Sequence, residues 1–174
     1  MLPDCAQDLC LSDSVECVGG SSLAGTTNII TLQSCVYSLT TMELLSDIDL
    51  SSVEGFPSVN IPPGATHVID GGGFTLSASK SSALGSLFTV KAGASLELRN
   101  IVLTNEGGRA VYVESGGTLI AGEGCVFKGN TGAGDGGAVY NDGTFTADSA
   151  TFTGNTASSY GYGGAVYNYY GTFT

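Results

Sequence analysis

The sequence has few charged side chains, and very few of them are positive. Charged residues fill 12% of the 174 positions, and 16 acidic residues against 5 Lys and Arg residues give a formal net charge of -11. Nucleic acids and anionic membrane surfaces are bound through clustered positive charge. The composition therefore excludes nucleic acid as a partner and favours a well-solvated, acidic surface.

Long apolar runs are missing as well. No stretch approaches the roughly 18 consecutive apolar residues that a transmembrane helix needs, so we expect no direct membrane insertion of this segment. The first residues lack the basic and apolar regions of a signal peptide. The last residue, Thr174, falls inside a repeat, and we expect the repeats to be truncated at this end.

Histidine is scarce and cysteine is confined to one region. His67 is the sole histidine, and four of the five cysteines precede the repeats. Their spacing matches no common zinc pattern, so we expect no metal and no cofactor. Four close cysteines allow two disulfides in three different pairings, with free thiols as the alternative, and disulfides would imply an oxidising, extracellular setting. The disulfide candidates are Cys5, Cys10, Cys17 and Cys35.

Glycine is abundant, with 27 positions, and it recurs in repeats. The hexapeptide Gly-Gly-Ala-Val-Tyr-Asn stands at residues 136–141 and again at residues 163–168. Phe-Lys-Gly-Asn at residues 127–130 and Phe-Thr-Gly-Asn at residues 152–155 recur with it. A fixed period of about 20 to 50 residues indicates one supersecondary unit stacked on copies of itself.

Each repeat contains three short stretches in which apolar and polar residues alternate. Alternation with a period of two indicates strands with one buried face. The sequence therefore predicts an all-β protein, a right-handed single-stranded parallel β-helix with three-strand coils. Aligned repeats place apolar side chains at the same level of successive coils: Phe88 with Val111, Val139 and Val166; Leu96 with Leu119, Phe145 and Phe173; Leu103 with Phe127 and Phe152.

Residues 1–54 precede the regular repeats, and residues 55–174 contain them. An open strand edge at the end of a solenoid is a template for aggregation, so we expect residues 1–54 to form a small N-terminal cap held by disulfides. Residues 40–43 have the spacing of a helix capping box, and Met42, Leu45 and Ile48 predict the apolar side of a short helix within this cap.

Several single residues carry their own expectations. Asn141 and Asn168 follow aligned strands, which predicts a ladder of stacked side-chain amides. Cys125 aligns with Ile101 and Ala150, so we expect a small buried apolar side chain there. His67 lies in an apolar strand and is expected to be structural. Two insertions, residues 131–135 and 156–162, extend the coils on one side, which is often the binding face of a solenoid.

Tyrosine is the best indication of a contact surface. Three tyrosines occupy one outward position on successive coils, and four more, Tyr160, Tyr162, Tyr169 and Tyr170, lie in nearby loops. Exposed aromatic rings suit contact with a sugar or a protein. The alternative is that the rings only shield the sheet or pack under the loops. The possible contact ladder is Tyr112, Tyr140 and Tyr167.

Catalytic groups are not evident. Asp135, Asp142, Asp148 and Glu123 lie in loops and turns, where solvated acids are a simpler interpretation than an acid–base pair. Residues 132–137 faintly resemble a glycine-rich calcium turn, but such turns normally repeat. Outward Thr-x-Thr pairs at residues 144–146, 151–153 and 172–174 leave ice binding as a minor alternative. We expect no catalytic residues and no metal site.

The two recurring tetrapeptides have a known counterpart. Each Gly-Gly-Ala-Val follows a Phe-x-x-Asn, and this combination resembles the GGA(I/L/V) and FxxN repeats of polymorphic outer-membrane proteins, exported β-helical proteins best known in chlamydiae. The resemblance covers about residues 60–174 and implies surface display and adhesion, to which both tetrapeptides contribute. The residues it marks are Phe127, Asn130, Gly136, Gly137, Ala138 and Val139, and in the second copy Phe152, Asn155, Gly163, Gly164, Ala165 and Val166.

These observations lead to one expected function and one alternative. We expect a non-catalytic β-helix at the cell surface or secreted, extracellular or at an outer membrane, used for adhesion or display. Its partner would be a protein or glycan of a host or neighbouring cell, and the sequence does not define its oligomeric state. The alternative is a fragment of a carbohydrate-active β-helix enzyme, of the polysaccharide lyase or hydrolase class, whose catalytic coils lie beyond Thr174.

Overall fold

Short strands follow one another along almost the whole described part of the chain. The computed structural model describes residues 21–23, 36, 40–44, 46–51, 58–78 and 85–174, with the backbone alone for residues 21–23. The strands are β1 Ser21–Leu23, β2 Thr41–Leu44, β3 Ile48–Asp49, β4 Val59–Ile61, β5 Thr66–Asp70, β6 Thr75–Ala78, β7 Ser86–Val90, β8 Ser95–Arg99, β9 Val102–Asn105, β10 Arg109–Val113, β11 Thr118–Ala121, β12 Val126–Lys128, β13 Thr131–Gly132, β14 Val139–Asn141, β15 Thr144–Ala147, β16 Thr151–Thr153, β17 Thr156–Ala157, β18 Val166–Asn168 and β19 Thr172–Phe173.

The strands form three long sheets that run along the axis of a solenoid. In spatial order, sheet 1 contains β1, β2, β5, β8, β11, β15 and β19; sheet 2 contains β3, β6, β9, β12 and β16; and sheet 3 contains β4, β7, β10, β14 and β18. Equivalent strands of successive coils pair in parallel, and from β2 onward the chain visits sheets 1, 2 and 3 in turn, with β13 and β17 forming a separate two-stranded sheet. The predicted all-β parallel solenoid is confirmed, and its right hand stays a prediction.

The core is built by like side chains that touch along the axis. The pairing sets Val111 opposite Phe88 and Val139, and Phe127 opposite Phe152. The rings of Phe127 and Phe152 stack with centroids 4.8 Å apart and planes 4° from parallel. The alignment of buried positions that the repeats predict is therefore confirmed.

Residues 41–44 form a strand where the sequence predicts a helix. They make up β2, whose backbone pairs with β5 so that Met42 lies opposite Ile69. Met42 and Leu44 are buried while Thr41 and Glu43 are exposed. This alternation is typical of a strand with one buried face. Pairing with β5 in the next coil stabilises the strand more than the capping box would stabilise a helix. The helix prediction was wrong.

Much of the predicted cap lies outside the described residues. Cys5, Cys10, Cys17 and Cys35 lie outside them too, so their disulfides stay a prediction. Strands β2 and β3 belong to sheets 1 and 2, which shows that parallel pairing begins upstream of residue 55. Nowhere in the described ranges does a helix have the length and apolar character needed to cross a bilayer.

Cys125 is buried at the corner between β11 and β12, as predicted. Its Sγ donates a hydrogen bond to the carbonyl oxygen of Leu98 at 3.0 Å. Burial is the main cause that raises the pKa of its thiol to about 11, and backbone hydrogen bonds partly oppose the rise. Because only the thiolate reacts, this side chain is inert in the folded coil at neutral pH.

We predict that stacked Phe127 contributes far more to stability than exposed Phe173. Phe127 is fully buried between coils, whereas Phe173 stacks on Phe145 from one side and remains 45% exposed. Phe127→Ala should lower the free energy of unfolding by about 3–5 kcal/mol, and Phe173→Ala by about 1 kcal/mol or less. Urea denaturation followed by circular dichroism measures both. Equal losses would contradict the stacked core.

We predict a loss of stability above pH 9 that depends on Cys125. The pKa of the thiol is about 11 in the folded protein and about 8.5 in the unfolded chain. Its contribution to the free energy of unfolding is therefore complete below about pH 8.5 and is lost as the pH rises toward about 11. The expected loss is about 3 kcal/mol. Urea midpoints at about pH 7 and pH 11 should fall further in the wild type than in Cys125→Ala, which also controls for titrating tyrosines. Parallel changes in the two proteins would disprove this assignment.

Candidate functional site

The Gly-Gly-Ala-Val tetrapeptides form the turns that lead into β14 and β18. The first glycine of each has a left-handed backbone, with φ of 69° at Gly136 and 68° at Gly163. This region favours glycine because a Cβ is strained there. The second glycine, Gly137, lies directly beneath the next coil, and a Cβ on it would overlap the carbonyl oxygen of Gly164 and approach the Thr156 nitrogen to 2.6 Å. The first glycine is therefore required by its backbone conformation, and Gly137 is required by the close approach of the next coil.

The Phe-x-x-Asn tetrapeptides join the same coils at another corner. The Nδ2 of Asn155 donates to the carbonyl oxygen of Phe127 at 2.8 Å, and the Nδ2 of Asn130 donates to that of Leu103 at 3.1 Å. Leu103 and Phe127 are also the residues that pair with Phe127 and Phe152 in the neighbouring strands. In each motif the Phe is the strand partner of one residue of the preceding coil, and the Asn amide donates to the carbonyl oxygen of that same residue.

The placement of these tetrapeptides favours a role in stacking. In the first copy Phe127, Asn130, and residues 136–139 are buried. In the second copy, on the last described coil, Phe152, Asn155, and residues 163–166 are partly or fully exposed. Side chains of the first copy do not reach the surface of the coil stack, and adhesion through these tetrapeptides stays a prediction.

The predicted amide ladder is confirmed at Asn141 and Asn168, which end β14 and β18. The Nδ2 of Asn141 donates to the Oδ1 of Asn168 at 2.6 Å and to the carbonyl oxygen of Thr172 at 2.9 Å. Asn141 is fully buried, so these bonds replace water for its amide. They hold β14 and β18 in register and thereby fix the tyrosines that precede both asparagines.

Three of the tyrosines lie in one row on the outer side of sheet 3. Backbone pairing sets Tyr112 opposite Tyr140 and Tyr140 opposite Tyr167, and all three rings are half-buried. Ring centroids are 5.3 Å apart for the first pair and 5.4 Å for the second, with tilted planes. The three positions are aligned as the sequence predicts, and contact with a partner through them stays a prediction.

The exposed rings cluster at the end of this row. Tyr162 and Tyr169 lie 6.2 Å and 6.1 Å from Tyr167, with planes within 29° of parallel, and Tyr170 lies 4.0 Å from Tyr169. Tyr162 is 71% exposed, Tyr169 47% and Tyr170 80%. We call the following five residues the tyrosine patch: Tyr140, Tyr162, Tyr167, Tyr169 and Tyr170.

The two insertions are stacked like the coils that carry them. They begin with β13 and β17, which pair as a small fourth sheet. The Tyr162 nitrogen donates to the Oδ1 of Asp135 at 2.7 Å, and the Gly136 nitrogen donates to the Tyr162 carbonyl oxygen at 2.8 Å. These bonds tie one insertion to the other and hold Tyr162 beside the patch.

Arg109 belongs to this surface, although sequence reasoning missed it. Its Cζ lies 5.2 Å from the centroid of the Tyr140 ring, a cation–π distance. Burial lowers the pKa of the guanidinium, and Tyr140, Tyr112 and Asp135 act in the opposite direction. Arg109 precedes Val111 by two residues, as Gly137 precedes its pairing partner Val139. Because the two aligned residues differ in type, the repeat does not predict an arginine at this position.

The acids near the patch are not used in ion pairs. In the described ranges the ion pairs are Lys91 with Glu114 and Arg99 with Glu97, each at 2.6 Å. Asp142 follows β14 directly, and the Tyr169 nitrogen donates to the carbonyl oxygen of Asn141 at 2.9 Å, which places Tyr169 against Asp142 on the next coil. Neither Asp135 nor Asp142 belongs to an ion pair of the described residues, although the charge of Asp135 acts on Arg109.

The other candidate sites find less support. Among the described side chains, no group of three or more His, Cys, Asp or Glu residues is arranged to hold a metal ion. His67 is buried in β5, opposite Leu96. The outward threonine at position 146 shares its row with Ile120 and Glu97, so this row does not form the regular hydroxyl array that ice binding requires.

Comparison with known families identifies the repeats themselves. The model of the Chlamydia polymorphic membrane protein repeat matches residues 124–142 and 149–169. Each match contains one Phe-x-x-Asn and one Gly-Gly-Ala-Val, so the resemblance deduced from these tetrapeptides is confirmed for both repeats. No curated protein and no solved structure matched the chain.

We predict unequal costs for the same substitution at the second glycine of the two repeats. Gly137→Ala forces a Cβ into the backbone of the next coil and should lower the free energy of unfolding by at least about 3 kcal/mol. Gly164→Ala places its Cβ 3.5 Å from the Asn155 carbonyl oxygen, an ordinary contact, and should cost about 1 kcal/mol or less. Thermal and urea unfolding measure both, and comparable costs would contradict the stacking role.

Proposed function

We propose that this protein is a non-catalytic β-helix, displayed at a cell surface or secreted, that makes adhesive contacts with a protein or glycan of a host or neighbouring cell. The proposal is supported by two copies of a repeat named for a chlamydial polymorphic membrane protein. That name also supports a location at the outer membrane or cell surface.

The observation that carries the proposal is the division of each repeat into an inner and an outer part. In the first repeat the Phe and Asn side chains and the Gly backbone lie between coils, where they determine register. The insertions and the tyrosine patch lie outside, held in place by that register. A rigid scaffold that carries exposed loops is the usual arrangement of a binding protein.

The enzymatic alternative gains nothing from the described residues. Proton abstraction by a lyase needs a basic group that is free to act on the substrate. Lys91 and Arg99 are each held by a glutamate, and Arg109 lies over Tyr140. Lys128 is exposed on β12, but the described residues contain no cluster of carboxylates that could hold the calcium ion of such a lyase. Asp135 accepts a backbone hydrogen bond from Tyr162, which is a loop-ordering role.

We predict that adhesion depends on the exposed rings of the patch. Beads coated with the purified protein should bind cells or arrayed glycans. The triple change Tyr162→Ser, Tyr169→Ser and Tyr170→Ser should lower binding at least about tenfold, because the loss of each ring removes about 1 kcal/mol or more of contact energy. Tyr160→Ser is the matched control, since Tyr160 is 96% exposed and lies outside the patch.

The same preparation tests catalysis. Incubation with pectin, alginate and other polysaccharides should yield no unsaturated product by ultraviolet absorbance and no new reducing ends. Product formation by the purified chain would overturn the proposed function. Adhesion that survives the triple change unaltered would place the contact surface elsewhere on the solenoid.

A further inference from the structure

We propose that the tyrosine patch, together with Asp135 and Asp142, binds an arginine-rich segment of a partner protein. The inference rests on the proposed function and specifies the class of partner. It is drawn from three features of the surface: a guanidinium that the chain itself places on a tyrosine ring, the glycine that takes the equivalent position one coil later, and two carboxylates outside the ion pairs.

Arg109 shows how this surface accepts a guanidinium. Its Cζ lies 5.2 Å from the centre of Tyr140, half-buried against the outer side of sheet 3. A planar guanidinium can lie flat on an aromatic face and still donate hydrogen bonds from its edge, which a lysine ammonium does less well. The patch therefore already contains one arginine–tyrosine contact of the kind we infer for the partner.

One coil later the same arrangement lacks its arginine. Tyr167 takes the position of Tyr140, and Gly137 takes the position of Arg109. No larger side chain fits at 137, because even a Cβ would overlap the Gly164 carbonyl oxygen. Position 137 therefore cannot supply a guanidinium to Tyr167 in the way that Arg109 supplies one to Tyr140.

The rings around Tyr167 form a suitable receptor. Tyr162 and Tyr169 flank it at 6.2 Å and 6.1 Å with nearly parallel planes. Alternate side chains of an extended peptide are about 6.5–7 Å apart, close to this ring spacing. An extended segment with arginine at every second residue can therefore present guanidinium groups to successive rings.

Charge selects the same partner. Asp135 is bonded to the backbone of Tyr162, and Asp142 lies against Tyr169, so carboxylates border the patch on both sides. The cations of the described ion pairs, Lys91 and Arg99, are engaged by Glu114 and Glu97. With a net charge of -11 for the chain, approach of a basic segment is favoured and approach of an anionic glycan is opposed.

The test uses labelled peptides of alternating glycine and a charged residue, titrated with the full chain and followed by fluorescence anisotropy. The Gly-Arg peptide should bind at least about fivefold more tightly than the Gly-Lys peptide, the difference expected of roughly 1 kcal/mol of guanidinium stacking. A Gly-Glu peptide should not bind. Neutral oligosaccharides serve as the competing ligand class.

Matched variants separate the patch from general acidity. Asp142→Asn should weaken Gly-Arg binding at least about fivefold, whereas Glu123→Gln, which removes the same charge from an exposed turn outside the patch, should change it less than about twofold. Tyr169→Leu should weaken binding about tenfold, and Tyr169→Phe, which keeps the ring, should bind at least about fivefold more tightly than Tyr169→Leu. Circular dichroism verifies that each variant is folded.

The outcomes distinguish this inference from the proposed function. Equal binding of Gly-Arg and Gly-Lys peptides, or equal effects of Asp142→Asn and Glu123→Gln, would overturn the inference in favour of unspecific charge attraction. Binding of a neutral oligosaccharide through Tyr169, without peptide binding, would overturn the inference and leave adhesion standing. A protein that binds neither class and coats beads without adhesion would overturn both.

Discussion

Every strand of this protein depends on the coils before and after it for its hydrogen bonds. Parallel pairing between equivalent strands joins each sheet along the axis, and among the described strands from β2 onward none pairs with the strand next to it in sequence. Register between coils is thus the constraint on which the rest depends, because a slip of one residue would turn every buried side chain outward. The repeated Phe, Asn and Gly residues stabilise this register at three places in the coil: within β12 and β16, at the end of β14, and in the turn that leads into β14.

The core could be predicted from the sequence because its signals are local and repeated. Alternation predicts strands, and the fixed period aligns Phe127 with Phe152 and Asn141 with Asn168 without knowledge of the structure. Residues 41–44 show where such reasoning fails. Their capping-box letters are compatible with a helix start, and only the pairing with β5 in the next coil, which a single window cannot show, makes them a strand.

The tyrosine patch was harder to predict because its geometry is not periodic. The aligned Tyr112, Tyr140 and Tyr167 follow from the repeat, but the rings that are most exposed lie in segments of irregular length. Arg109 and Tyr140 lie on neighbouring coils, and neither their residue types nor their spacing in the sequence predicts the contact between them. The sequence thus predicts which face carries aromatic residues, and only the structure shows which rings are accessible and which charges adjoin them.

The register that orders the core also limits what the outer face can become. Gly137 must remain glycine because the next coil passes over it, so a side chain at that position cannot cover Tyr167. Asn141 and Asn168 in turn hold the strands on which Tyr140 and Tyr167 stand. Buried stacking and exposed aromatic surface are consequently two results of one arrangement, because the residues that make coils fit together determine which rings remain exposed.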